Sequence, residues 1–139
     1  MHVHHSIKRV NLEEVWHLRQ EVMWPDHPID FVKIPGEEDA HHFGIFFESR
    51  LIACVSLFQH KNHWKFRKLA TLPNFQGQGY GGSLIKFIKD YVNTNQGTIL
   101  TCDARLEKTA FYEKFGFKKE GDPFLKYGKP YQKMELKFE

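Results

Sequence analysis

Four glycines fall within six residues of the segment Gln76-Gly77-Gln78-Gly79-Tyr80-Gly81-Gly82, and Ser83 follows it directly. Glycine accepts positive φ and lets another molecule approach the backbone closely. A glycine turn that opens a helix presents unpaired N–H groups at the positive end of the helix dipole. That combination binds anions, phosphate above all. The strand-like stretch Lys65-Phe66-Arg67-Lys68-Leu69-Ala70-Thr71-Leu72 precedes the glycines, and a helical pattern runs on from Ser83. A plain linker or tight turn is the alternative, and the strand-to-helix placement favours the phosphate cradle over it.

Two nucleotide-binding spellings compete for the same residues. Gly77-x-Gly79-x-x-Gly82 fits a dinucleotide fingerprint, with Asp103 downstream as its ribose-binding acid. Three antiparallel strands come first, however, and Pro73-Asn74-Phe75 separates strand from glycines, where a dinucleotide turn is tighter. A triphosphate P-loop is excluded because no Gly-Lys-Ser/Thr follows. Cys54 and Cys102 sit in strand-like apolar runs and read as buried free thiols, although counting alone leaves a disulfide open. His2, His4 and His5 near the start read as solvated or part of a strand face, and no metal is expected.

The elements that position these residues follow from periodicity. A first strand is expected over 2–10, with Val3 and Ile7 in loose alternation. Asn11 is a good N-cap, Glu14 completes an approximate capping box, and Leu12, Val15, Trp16, Val22 and Met23 keep helical spacing until Pro25 and Pro28. Residues 25–40 read as a long loop with room for a short helical turn, and such loops often line functional sites. Strands are expected over 42–48 and 51–60, joined at Ser49-Arg50, and over 64–72 after Lys61-Asn62-His63. Leu84, Ile85, Ile88, Tyr91 and Val92 share one helical face. Thr98 to Cys102 is then a strand parallel to 64–72 through a right-handed crossover. A short helix over about 106–115 ends at Gly116, Phe117 opens another strand, and an alternating strand over 131–138 closes the chain.

The chain has 139 residues, which suits one domain over 1–139. Thirteen phenylalanines and 41% apolar residues argue for a packed core rather than disorder. The net charge of +3 is too balanced to imply nucleic-acid binding, yet it does not oppose a polyanionic small ligand. No signal peptide and no apolar run of membrane-spanning length is evident, so a cytoplasmic protein without a membrane partner is expected.

Here two motifs converge on a family. Gln76-x-x-Gly79-x-Gly81, followed by an amphipathic helix, resembles the acetyl-coenzyme A signature of the GNAT N-acetyltransferases. Leu69-Ala70-Thr71-Leu72-Pro73 fits that family's fourth strand. Ala110-Phe111-Tyr112-Glu113-Lys114-Phe115-Gly116-Phe117 is similar to its Phe-Tyr-x-x-x-Gly-Phe element. The resemblance covers roughly 42–138, and Arg19-Gln20-Glu21-Val22-Met23-Trp24-Pro25 is also like small bacterial members.

The resemblance implies an α/β (α+β) single-domain GNAT-like fold: a mixed, mostly antiparallel sheet of six to seven strands with about four helices. It implies an enzyme that moves acetyl from acetyl-coenzyme A to a primary amine of a small molecule or peptide by direct attack. Gly77, Gln78, Gly79, Tyr80, Gly81, Gly82 and Ser83 would hold the pyrophosphate, with Gln76 shaping the loop. Leu69, Ala70 and Thr71 would run beside the pantetheine arm, whose amides can pair with strand backbone. An N–H near Leu69 or Ala70 would steady the oxyanion. Tyr112 is the general acid for the departing thiolate.

His60, His63, Asp103, Glu107 or a water relay remains open as base. Asp103 and Arg105 stand where many members carry an asparagine. Cys54 and Cys102 are not expected to act as nucleophiles. The acceptor pocket is expected from the 25–40 loop, the 60–63 turn and 121–130, with Asp26, Asp30, Glu37, Glu38 and Asp39 either attracting a cationic amine or simply solvated. An exposed C-terminal strand would permit a homodimer. A non-catalytic acyl-coenzyme A sensor, and less so a dinucleotide enzyme, are the alternatives.

Overall fold

A computed structural model describes residues 6–139, so Val3, His2, His4 and His5 lie outside the described residues. Eight strands form one sheet: β1 (Ile7–Arg9), β2 (His41–Phe47), β3 (Arg50–His60), β4 (His63–Thr71), β5 (Ile99–Arg105), β6 (Lys118–Lys119), β7 (Phe124–Lys126) and β8 (Lys129–Lys137). The order across the sheet is β1-β2-β3-β4-β5-β8-β6, and β7 also pairs with β8. Three α-helices accompany it: α1 (Leu12–Met23), α2 (Tyr80–Thr94) and α3 (Thr109–Glu113).

Local chemistry accounts for many element ends. The Asn11 side chain accepts from the Glu14 N–H at 2.9 Å, and its amide donates back to Glu14 at the same distance, which starts α1. After α3, Gly116 takes φ +97°; its N–H reaches the Glu113 carbonyl and the Phe117 N–H reaches that of Tyr112. These two bonds make a Schellman ending, which throws Phe117 into the core. The β2–β3 turn is Glu48-Ser49, both at positive φ, so Arg50 already belongs to β3.

The β3 side chains from Ile52 to Leu57 are all buried, because helices cover both faces of the sheet. Phe43 on β2 meets the Phe87 and Tyr91 rings of α2 at 4.9 and 5.0 Å. Ser56, which pairs with His42 on the adjacent rung, faces the other way and meets Arg19 of α1. Cys54 and Cys102 are free and buried, and burial pushes both thiols up to about 12. Neither is a thiolate at neutral pH.

Among the described residues the sheet is larger than the sequence suggests, with eight strands and three α-helices rather than six to seven and about four. The additional strand is β7, a three-residue edge returned onto β8 by Tyr127-Gly128, both at positive φ. The expected helix over 106–115 divides into a tight turn, Leu106–Lys108, and α3. The C-terminal strand is not exposed as an edge: β5 pairs with one side of β8, and β6 and β7 with the other. Backbone pairing there is already used, so β8 offers no edge to a second copy. The β4–β5 pair is parallel, and the other ladders between described residues are antiparallel, which removes the dinucleotide architecture.

Candidate active site

The sheet splits at its centre. Parallel pairing between β4 and β5 runs through His63↔Ile99 and Trp64↔Leu100 and ends at Lys65↔Thr101. The Lys65 ammonium bonds the Asp103 carboxylate at 3.0 Å at that last rung. Beyond it β4 keeps its β3 partner, but two residues, Lys68 and Leu69, stand opposite the single Val55 between the rungs Ser56↔Arg67 and Cys54↔Ala70. Lys68 takes φ +57° to make this bulge. A bulge bends its strand away from regular pairing and is common beside active sites. The β5-facing backbone of Phe66 to Thr71 is therefore left without a ladder partner among the described residues.

The glycine segment lies at the end of this strand. Gln76 reaches back and donates to the Thr71 carbonyl at 2.9 Å, while Gln78 donates to the Asn74 carbonyl at 3.1 Å. Gly77 and Gly79 sit at φ +75° and +91°, in open space, so backbone conformation rather than crowding demands glycine there. Gly79 is the N-cap of α2, with no side-chain acceptor. The helix begins at Tyr80, three residues earlier than the periodicity from Ser83 predicts, so Gly81 and Gly82 are first-turn residues whose N–H groups have no intrahelical partner. Ser83 is the first to bond back, through both N–H and hydroxyl, to the Gly79 carbonyl.

The two sequence motifs touch. A Cβ on Gly82 would lie 3.0 Å from Phe115, and one on Gly81 would lie 3.8 Å from both Phe111 and Leu69. The Phe115 carbonyl also accepts from Lys89 of α2 at 2.6 Å. The glycines therefore let the start of α2 seat against α3. Tyr112 follows from that seating: its ring packs 5.9 Å from Phe66 on β4 and 5.1 Å from Phe111. Burial, then the neighbouring Cys102, pushes the phenol pKa well above the ordinary tyrosine value, so it stays protonated.

A cavity of about 280 Å³ opens between α1, the 31–35 segment, the β4 bulge and the β7–β8 turn. Trp24, Phe31 and Tyr127 supply aromatic walls, and Arg19, Lys33, Arg67 and Lys68 supply charge. Burial first, then the charges of Lys126, Arg67 and Arg19, lowers the Lys68 pKa below the ordinary lysine value. The 25–40 loop and the 121–130 region contribute to this wall, and the 60–63 turn does not. His60 and His63 face each other at the opposite end of β4, roughly 20 Å from Ala70 along an extended strand. Asp103 is held by Lys65, and Glu107 by Arg105 at 3.1 Å.

The loop acids do not line the cavity. Glu37 is buried, where it receives Arg19, the Trp16 indole and the Ile34 N–H. Asp30 pairs with Lys33 at 2.7 Å, and Asp26, Glu38 and Asp39 are exposed. Arg19, Arg67 and Lys68 carry no sequence signal for this place. Lys68 sits on the β4 bulge at φ +57°.

The fold superposes on those of solved acyltransferases. An acyl-CoA N-acyltransferase from Pseudomonas aeruginosa superposes with a TM-score of 0.82 at 19% identity, over 96% of this chain and 98% of its own. The ribosomal-protein-S18-alanine N-acetyltransferase from Escherichia coli also superposes at 0.82, with 17% identity over 96% and 94%. In sequence, the chain is 26% identical over 128 residues to YitI of Bacillus subtilis, named an uncharacterised N-acetyltransferase, across 86% of each. The fold is thus that of an N-acyltransferase. The acetyltransferase (GNAT) domain model matches residues 24–138, and the chain belongs to that family of N-acetyltransferases.

Proposed function

We propose that residues 1–139 act as one domain that transfers acetyl from acetyl-coenzyme A to a primary amine by direct attack. The observation that carries this reading is the stretch of β4 without a ladder partner that leads, through the glycine turn, into a helix start with no side-chain cap. Acetyl-coenzyme A supplies an activated thioester, a pyrophosphate and an amide-bearing arm. The residues present fit all three needs. The N–H groups from Gly77 to Gly82 sit at the positive end of the α2 dipole, where they match a pyrophosphate, and Gln76 and Ser83 hold the loop in that shape. The β5-facing backbone of Leu69, Ala70 and Thr71, which has no ladder partner among the described residues, can take up amides as a further strand would.

In the transfer, an N–C bond forms as the C–S bond breaks. A backbone N–H near Leu69 or Ala70 donates to the thioester oxygen, and the Tyr112 hydroxyl gives its proton to the departing sulfur. The amine proton leaves through water, because Asp103 and Glu107 are engaged in ion pairs. Neither cysteine takes part, consistent with thiols held protonated by burial.

Calorimetric titration with acetyl-coenzyme A, followed by thiol release across a panel of amines, tests the reading. Micromolar binding with release for at least one amine is the expected result. Binding without release from any amine would leave a sensor, and no binding at millimolar ligand would overturn the site itself.

A further inference from the structure

The cavity beside the β4 bulge is polarised in a way the acidic loop sequence does not suggest. Four basic side chains line it and no acidic one does. Two of the four have carboxylate partners: Arg19 is paired with Glu37 and Lys33 with Asp30. Arg67 and Lys68 have no ion-pair partner among the described residues, and Lys126 on β7 adds its charge to theirs at Lys68. Arg19 supplies a further, independent sign. Its Nη1 and Nη2 are spent on Val32, Glu37 and Ser56, yet its Nε, in a side chain fully out of water, has no partner. A buried donor left unpaired is costly unless something accepts from it.

The rest of the wall is apolar. Trp24 packs edge-on to Phe31 at 4.9 Å and lies 6.2 Å from Tyr127. Aromatic faces on their own would welcome a cation. Beside Arg67 and Lys68, a ligand bearing only positive charge meets like charges in a half-buried wall, where screening is weak. A volume of about 280 Å³ suits a molecule the size of an amino acid, at the low end of ligand pockets of about 300–1,000 Å³.

We propose that the acceptor is an amine that also carries a carboxylate and an apolar or aromatic body, with Arg67 and Lys68 as the residues that hold the carboxylate. The proposal rests on the transferase reading above, since it takes this cavity as the acceptor side of the split. It excludes a polyamine as the preferred acceptor. The aromatic body lies against Trp24, Phe31 and Tyr127, and the amine is then the end left to face the thioester.

Matched acceptors test this directly: phenylalanine against phenethylamine, which differ by the carboxylate, with spermidine as the polycation and O-phosphoethanolamine against ethanolamine as the phosphate arm. Phenylalanine is expected to exceed phenethylamine at least tenfold in kcat/KM. Arg67→Gln and Lys68→Asn, the latter chosen because asparagine tolerates positive φ, should bring that ratio towards one, while Arg67→Lys retains part of it. Calorimetry with N-acetylphenylalanine, in the absence of coenzyme A, reads the cavity without turnover. Its loss in Arg67→Gln, with acetyl-coenzyme A affinity unchanged, supports the proposal. Equal or better use of phenethylamine or spermidine, or preference only for the phosphate arm, overturns it. If acetyl-coenzyme A does not bind while N-acetylphenylalanine does, the transferase reading fails and the anion site stands.

Discussion

Arg19 and Glu37 meet in a double hydrogen bond, Nη2–Oε1 at 2.7 Å and Nη1–Oε2 at 3.1 Å, with both side chains almost entirely out of water. The pair ties α1 to the loop that walls the cavity. It is part of a closed circuit. Arg19 Nη2 also donates to Ser56 Oγ at 2.7 Å. The His42 Nε2 lies 2.8 Å from the Glu37 carbonyl, which can only accept, so Nε2 carries the proton and Nδ1 accepts from Ser56 Oγ. Each of these hydrogen bonds depends on the others to keep its partner in place.

Breaking the pair from one side should therefore be costly. Glu37→Ala leaves a buried guanidinium uncompensated, and a loss of roughly 3–5 kcal/mol is expected from the usual behaviour of broken buried pairs. Urea unfolding of the variant measures it. A loss under about 1 kcal/mol, the range of exposed pairs, would show that the circuit is solvated in solution.

The same circuit predicts acid sensitivity in two stages. Burial, the first cause, lowers the His42 pKa below its ordinary 6.5 despite the bond to Glu37. The unfolded chain thus binds this proton more readily, and stability present above pH 6.5 is lost as pH falls through the lower folded value. For Glu37, burial works to raise the pKa, but the bonds from Arg19, Ile34 and Trp16 and the Arg19 charge outweigh it, and the net value lies below 4.5. Its contribution is present above pH 4.5 and drains away below it. The melting temperature should decline below pH 6.5 and more steeply below 4.5, and His42→Gln should flatten the first stage.

Tyr112→Phe should lower kcat by about 100-fold, the lower range for a lost general acid, and leave acetyl-coenzyme A affinity nearly intact. Because burial raises the phenol above its ordinary 10.0, the wild-type rate should show no loss from Tyr112 ionisation below pH 10.0. An unchanged kcat in the variant would reduce Tyr112 to a packing residue beside Phe66.

Gly79→Ala places a side chain at φ +91°, although space around the position is open. The left-handed conformation costs a non-glycine residue roughly 1–2 kcal/mol. The turn can relieve this by moving, which misaims the first-turn N–H groups, so acetyl-coenzyme A affinity should fall by about tenfold. Calorimetry on the variant reads it, and unaltered affinity would remove the glycine turn from the anion site.

Local chemistry made much of this legible in the residues. Asn11 and Glu14 are three apart, so their capping contact needs nothing else in the molecule. Gly116 announces the end of α3 because the Schellman bonds lie within six residues. The glycine cradle and the Phe111–Phe117 element were readable for the same reason, each being one turn with its own geometry. The start of α2 was misplaced because Tyr80, Gly81 and Gly82 look like loop and are helical only under the tertiary packing of Phe111 and Phe115. The strand β7 was missed because three residues gain a strand conformation only from β8.

The residue string by itself determined a glycine turn between strand and helix, the Phe111–Phe117 element on a later helix, and the family both point to. Those features depend on neighbours a few positions away. The charge of the cavity beside the β4 bulge was decided by tertiary structure alone. Glu37, which reads as one of several loop acids either attracting an amine or simply solvated, is turned inward onto Arg19, and Arg67 and Lys68 are left as the cavity charges without an ion-pair partner among the described residues. The physical reason is range. Which member of a charged set faces water, and which is spent on a partner, depends on contacts between α1, the loop, β4 and the β7–β8 turn that are far apart in the chain, and the spacing of residues carries no record of them.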